Sequence, residues 1–455
     1  MATGLARPLA RSLKGRMFGT AAAAKPKNAD EREPLGFVKK LENGLVVGTI
    51  ESKSPIARIA VVANAGSRFE TGQNLGVSHV LRHLPKLRTE NLSSLGIIRR
   101  SLQLGSDITS QGNREYIYYK SAVTRNVVAP IVEILQELTT KSKIVDWEFE
   151  DLINDPNGLK LDLALLKTQP QIRAVEALHA AAFRNTLGNS LYSPEFQLGK
   201  FTSEQVAQYL KTYFSARRLA LIGVGVDQQV LEDLGRTFEP YKAAGAPSQQ
   251  AVYAGGEIRE NSGGDLAYVA VAFSGPSQVS SDLLPAEVLK HVLGAGPYIK
   301  YSLGTTSALG KAAAKATDGP FAVSGFTANY FDAGLFGFTA VAPSQSIDKV
   351  LRAAAKEVKS LLTSGVSDAQ VNAAKNRLKA EICMNFENPE NILSWLGEQS
   401  LHSNSIITPH EVYKMVDNIS TADVNKVAKA IAGSKPSIGV TGNTSNVPYL
   451  DKLFS

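Results

Sequence analysis

The sequence predicts an α+β fold made of two homologous domains, each an antiparallel-rich sheet with helices packed on it. Three observations lead there. The chain has 455 residues, 44% apolar and 20% charged, which is enough for two or three domains with sizeable cores. Strand-like and helix-like segments alternate along its whole length. The order of those segments in the first half then returns in the second. IARIAVVANAGSRFE (56–70) corresponds to LAYVAVAFSGPSQVS (266–280), and VSHVLRHL (77–84) to AEVLKHVL (286–293). TSEQVAQYLKTYFSARRLALIGVGV (202–226) matches STADVNKVAKAIAGSKPSIGVTGNT (420–444) at an offset of 218, helix on helix and strand on strand.

The first 27 residues stand apart. They hold Arg7, Arg11, Lys14, Arg16, Lys25 and Lys27 and no acid. Leu5, Leu9 and Leu13 recur every four residues, opposite the basic positions on the same helix. An arginine-rich, acid-free amphipathic N-terminus is the pattern of a mitochondrial transit peptide, assigned here to residues 1–30. Without those six, 43 basic residues face 42 acidic ones, so no basic surplus remains for nucleic acid.

A domain at 35–240 follows. LGFVKKLENGLVVGTIES (35–52) reads as a hairpin turning at Asn43-Gly44. ARIAVVANAG (57–66) is a strand, and HVLRH (79–83) lies on a helix that Pro85 ends. IIRRSLQLG is helical, DITSQG and EYIYYKSAV are strands, and VVAPIVEILQELTT (127–140) is an amphipathic helix. A mostly helical region from Trp147 to Phe183 breaks at Asp155-Pro156-Asn157-Gly158. The Ala-, Gly- and Pro-rich stretch 241–256 reads as a linker to a second domain at 257–455. The apolar runs stop near eight residues, far short of a membrane span. Cys383 is the only cysteine, so no intrachain disulfide is possible.

His79 and His83 stand four apart on one helix face and can present two imidazoles to one metal. By itself that pair is more often two partly buried histidines than a ligand pair. The surroundings sharpen it. NLGVSHVLRH, with GSRFE before it and NREYIYY (113–119) after it, resembles the inverted zinc peptidases whose motif is H-x-x-E-H. This is the pitrilysin-type family, which includes insulin-degrading enzyme, the mitochondrial processing peptidase and the core proteins of the cytochrome bc1 complex. The resemblance covers essentially the whole chain after the leader, including the two-half layout.

It places His79 and His83 at the histidine-ligand positions and Asp162 where the family has a glutamate ligand. Arg82 stands where the family has the glutamate that takes a proton from zinc-bound water. A guanidinium has no acceptor and cannot be a general base. At an assumed ~5 Å it would repel Zn²⁺ by several kcal/mol at an effective dielectric of about 20, unless turned away. The expectation is a degenerate site with no catalytic residue, no metal and no cofactor, in which Arg82 pairs with Asp162.

GTTSALGKA (304–312) has glycine spacing one too long for a phosphate loop, with Ala312 at the Ser/Thr position. LGAGPYIKYSLG (293–304) falls where the non-catalytic processing-peptidase subunit has its flexible glycine-rich loop, but is short and carries Pro297 and Tyr298. His179, His291, His402 and His410 show no ligand spacing and read as structural or surface residues.

Three functions compete under the resemblance: an active zinc peptidase, the substrate-binding subunit of the processing peptidase, and a structural core subunit of ubiquinol–cytochrome c reductase. LHAAAFRN (178–185), GGEIREN (255–261), LKHVLGAGP (289–297) and AAKNRLKAE (373–381) resemble the core proteins. That reading implies core protein 1 and other bc1 subunits as partners, and a peripheral place on the matrix side of the inner membrane. It also implies a share in processing or retaining the Rieske presequence. A soluble matrix adaptor is the alternative from another class.

Overall fold

The computed structural model describes residues 36–155, 158–242, 248–296, 307–402 and 406–454. The basic leader lies outside the described residues, as do Pro156-Asn157 and most of the glycine-rich stretch at 297–306.

The first half opens with the expected hairpin, β1 (Phe37–Lys40) and β2 (Val46–Ile50). Gly44 has φ +84° at the turn, and the Asn43 side chain accepts the Leu45 N–H at 3.1 Å. Then come β3 (Ile56–Ala63), α1 (Val77–Leu81), α2 (Ser94–Gln103), β4 (Ile108–Gly112) and β5 (Ile117–Thr124). Helices α3 (Val128–Thr140), α4 (Asp146–Asn154), α5 (Leu159–Lys167) and α6 (Pro170–Phe183) follow. The break between α4 and α5 falls where the Asp-Pro-Asn-Gly run predicts it. The half closes with α7 (Ser203–Tyr213), β6 (Leu219–Val224) and α8 (Gln228–Arg236).

The second half begins with β7 (Gly256–Asn261), β8 (Leu266–Gly275), α9 (Leu283–Leu293) and α10 (Ala308–Ala316). Strands β9 (Ala322–Asn329) and β10 (Gly334–Pro343) precede α11 (Ile347–Ser364), α12 (Asp368–Glu387) and α13 (Pro389–His402). It ends with α14 (Pro409–Asn418), α15 (Thr421–Ala432), β11 (Ser437–Gly442) and α16 (Leu450–Phe454).

The two sheets run β1-β2-β6-β3-β5-β4 and β7-β11-β8-β10-β9. Apart from β1, each strand of the first has its counterpart in the second. One parallel pair per sheet, β2–β6 and β7–β11, sits beside antiparallel neighbours in both. The duplication read from the sequence is a duplication of topology. Central strands β3, β6 and β8 carry near-continuous apolar runs, and β11 (SIGVTG) is buried throughout, because both sheet faces are covered.

The cover on one face is exchanged between halves, which belong to one compact unit, Gly36–Ser455. From the first half, α6 packs Ala174, Leu178, Ala182 and Phe183 onto Ala270, Ala272 and Leu335 of the second sheet. From the second half, α13 packs Leu393 and Leu396 onto Ala60, Val62 and Ile222 of the first. Glycines permit the close approach. A Cβ on Gly439 would lie 2.3 Å from the Ala174 carbonyl oxygen, and one on Gly397 2.8 Å from Val62. Polar groups join the halves as well. Arg68 pairs with Glu115 and, at 2.7 Å, with Asp332 at the β9–β10 turn, its side chain only 3% exposed. No described helix is long and apolar enough to cross a membrane.

Candidate metal-like site

The HVLRH helix is shorter than predicted. Its α-helical part ends at Leu81, and Arg82 and His83 lead into a 3₁₀ turn at Leu84–Lys86. Pro85 is the cause: it has no N–H for the Leu81 carbonyl, and its ring would strike that group in a continued helix. The carbonyls released at the helix end find side chains instead. Tyr119 donates its hydroxyl to Leu81 O at 2.8 Å, and Ser110 donates to Arg82 O. At the other end, Gly76 takes φ +90° and buried Glu70 accepts the N–H groups of Gly76 at 2.7 Å and Ser78 at 2.8 Å. Burial pushes the Glu70 carboxyl up to about 7, against those two hydrogen bonds.

The structure brings His79, His83 and Asp162 together. Asp162 Oδ2 lies 3.0 Å from His79 Nε2 and 3.1 Å from His83 Nε2, and the three donor atoms sit within 4.8 Å of one another. The two hydrogen bonds hold the Asp162 carboxyl far below the usual carboxylate range. Burial lowers His79 to about 4, so at neutral pH a neutral imidazole faces an aspartate anion.

Arg82 does not pair with Asp162, contrary to expectation. Its guanidinium donates to Leu191 O at 2.6 Å and lies 5.1 Å from the centre of the Tyr192 ring. The reason is geometric. The two imidazoles already occupy Asp162 Oδ2, and the arginine is directed to the segment Leu191–Ser193 instead. That segment is fixed at several points. Glu176, paired with Arg114 at 2.7 Å, accepts Leu191 N–H at 3.0 Å, and Ser193 N–H donates to His79 Nδ1 at 3.1 Å. Only a glycine at 76 permits this, since a Cβ there would stand 2.5 Å from Ser193 Cα. The sequence reading missed this segment, Glu70 and Glu176. Gly76, placed directly before the helix, was the one available signal; backbone donors and acceptors carry none.

Two imidazoles and a carboxylate are a zinc-type donor set. The surroundings oppose it. A metal-bound histidine donates its other ring N–H to an acceptor. His79 has the reverse arrangement: Nδ1 receives the Ser193 N–H, so the proton sits on Nε2 and points at Asp162. Arg82 further disfavours positive charge on His79. No acceptor at position 82 can activate water. The residues present therefore do not fit a hydrolytic zinc centre, and what they form is a staple between α1, α5 and residues 191–193.

Of the other histidines, His179 and His291 are buried and His402 lies at the surface. His179 donates from Nδ1 to Val175 O at 2.8 Å and meets Tyr330 Oη at 2.8 Å. His291 contacts Glu381 at 2.7 Å, and His402 stacks on Phe331 with ring centres 4.4 Å apart. His410 is exposed.

The sequence matches two descriptions within one peptidase family: "Insulinase (Peptidase family M16)" over residues 46–195 and "Peptidase M16 inactive domain" over 200–378. Cytochrome b-c1 complex subunit 2 of Homo sapiens is 38% identical over 434 residues, 95% of this chain and 95% of its own. The Mus musculus protein of the same name is 37% identical, with 91% of each chain covered. The probable mitochondrial-processing peptidase subunit alpha-1 of Arabidopsis thaliana is 26% identical over 94% of this chain and 86% of its own.

Proposed function

The chain belongs to the M16 peptidase family, and from that premise we propose that it is a non-catalytic structural core subunit of the mitochondrial ubiquinol–cytochrome c reductase. The observation that carries the reading is the gap in similarity at nearly full length: 38% identity to a cytochrome b-c1 complex subunit 2 against 26% to a processing-peptidase alpha subunit. The site has the same sense. Arg82 supplies no base, and the proton on His79 Nε2 occupies the direction a metal would need. In this reading the cage is metal-free and serves the fold.

The partners follow from the same proposal. Core protein 1, of like fold, and the membrane-embedded subunits of the complex hold the chain on the matrix side of the inner membrane. Residues 1–30 direct it there and are removed. The near-balance of 43 basic and 42 acidic residues beyond residue 27 favours a protein anchor over electrostatic attachment to anionic lipid. A share in processing the Rieske presequence belongs to the assembled pair.

Native electrophoresis of mitochondria in mild detergent tests this. The chain should migrate with cytochromes b and c1, begin downstream of Arg16 by intact mass, and on depletion lower the assembled reductase while general presequence cleavage continues. A general block of precursor processing on depletion would instead identify the substrate-binding subunit of the processing peptidase.

A further inference from the structure

Helices α10, α11 and α12 enclose a cleft of about 680 Å³ in the second half. Its depth comes from small side chains: Ala312, Ala353 and Ala373 line it, one from each helix. Its rim is cationic. Lys311 and Lys315, one turn apart on α10, face the same space as Lys356 of α11 and Arg377 of α12. Among the described residues none of the four makes a salt bridge, although Glu357 also lines the cleft. Nearby, Lys379 pairs with Asp417 only two residues from Arg377. Four like charges around one concavity repel one another, and a multiply charged anion relieves that repulsion. The buried floor residue His291 faces Glu381 at 2.7 Å, and Ser360 and Gln370 add neutral polar groups to the wall.

We propose that this cleft is a binding site for a small polyanion carrying two or more phosphate groups. Its volume is in the range of small-ligand sites. Lysine point charges suit phosphate without demanding fixed geometry, and Arg377 can hold two phosphate oxygens with its planar fork. The shared chemistry is a pair of phosphates, borne by a free diphosphate or by the headgroup of an anionic phospholipid. Lys311 comes from GTTSALGKA, whose spacing is wrong for a phosphate loop. In the structure Ser307 caps α10 by accepting the Gly310 N–H at 2.9 Å, which makes Lys311 a helix residue facing the cleft.

The test titrates inorganic pyrophosphate into the full chain by calorimetry and, separately, measures its sedimentation with vesicles containing phosphatidylinositol 4-phosphate, whose headgroup carries two phosphates. Saturable, salt-sensitive binding is expected, weakened about tenfold by Lys311→Gln with Lys315→Gln, a loss equivalent to one good charge-assisted contact. Lys40→Gln with Lys53→Gln, exposed in the first half, removes equal charge and should leave binding unchanged. Binding of pyrophosphate that depends on Lys311 and Lys315 identifies a free phosphate ligand; vesicle binding alone with that dependence identifies a headgroup. Neither probe binding, or both lysine pairs weakening it equally, overturns the site.

Discussion

Helices α1 and α9 follow corresponding strands in two sheets of the same order, yet one stops after five residues and carries a polar cluster, while the other runs for eleven. In α9, Ala286, Val288, Leu289, Val292 and Leu293 are buried, with Glu287 and Lys290 half-buried among them. In α1, Pro85 stops the helix and the polar groups of His79, Arg82 and His83 must be satisfied one by one. A common device survives beneath the difference. Each region sets a histidine against a carboxylate from a later helix: His79 and His83 on Asp162 of α5, and His291 on Glu381 of α12 at 2.7 Å. Among the described residues the second half has this pairing without a ligand triad. His291 and Glu381 lie close without a hydrogen bond between them, whereas in the first half both imidazoles bond Asp162 Oδ2 and tie the HVLRH segment to α5.

The sharpest way to break the comparison is at the join between halves. Arg68 neutralises Glu115 and Asp332, and its loss leaves two carboxylates with little water around them. Arg68→Ala should lower stability by about 3–5 kcal/mol, the cost of breaking a buried ion pair from one side. Urea unfolding followed by far-UV dichroism measures it. A loss no larger than that of an exposed pair would mean the halves do not depend on this contact.

The exchanged helices offer the next test. Leu178 of α6 and Leu396 of α13 are both fully buried against the opposite half's sheet. Leu178→Ala and Leu396→Ala should each cost about 2–5 kcal/mol, and by similar amounts if the exchange is reciprocal in energy as in geometry. If only one of them mattered, the two faces would not be equivalent.

Much of this was legible beforehand because it rests on periodicity. Alternating strands, the capped helix at Ser203–Tyr213 and the 218-residue offset gave the duplicated topology. The exchange of α6 and α13 was not legible, since an apolar helix face does not say which sheet it will cover. In the site, spacing put His79 and His83 on one helix face, and the family resemblance put Asp162 at the third ligand position. It did not predict where Arg82 goes, because its partners are a backbone carbonyl at Leu191 and the face of Tyr192, more than a hundred residues away.

Acidity separates the two buried groups around α1. His79 titrates lower in the fold than its ordinary 6.5, near 4, so its contribution is complete above 6.5 and is lost as pH falls toward 4. Glu70 is raised from 4.5 to about 7, so its contribution is complete below 4.5 and is lost as pH rises through 7. Between those limits the two oppose each other. Glu70→Gln should therefore steepen the rise of stability with pH across about pH 5 to 6.5, read from urea midpoints. Equal slopes in the variant and the parent chain would remove Glu70 from the account.

The smallest expected effect is the most informative about the site. Arg82→Glu rebuilds H-x-x-E-H on paper, and a motif-level view expects zinc and peptidase activity to return. The geometry expects neither. The new carboxylate would join Glu70, Glu176 and Asp162, all of whose charges act on residue 82. The Ser193 N–H would still face His79 Nδ1 and keep the proton on Nε2, because that donor is backbone and no side-chain change removes it. Zinc bound after dialysis should stay well below one equivalent, and presequence-peptide cleavage should remain at background. Chelator-sensitive cleavage by this single variant would show that position 82 alone separates the staple from a working metal site.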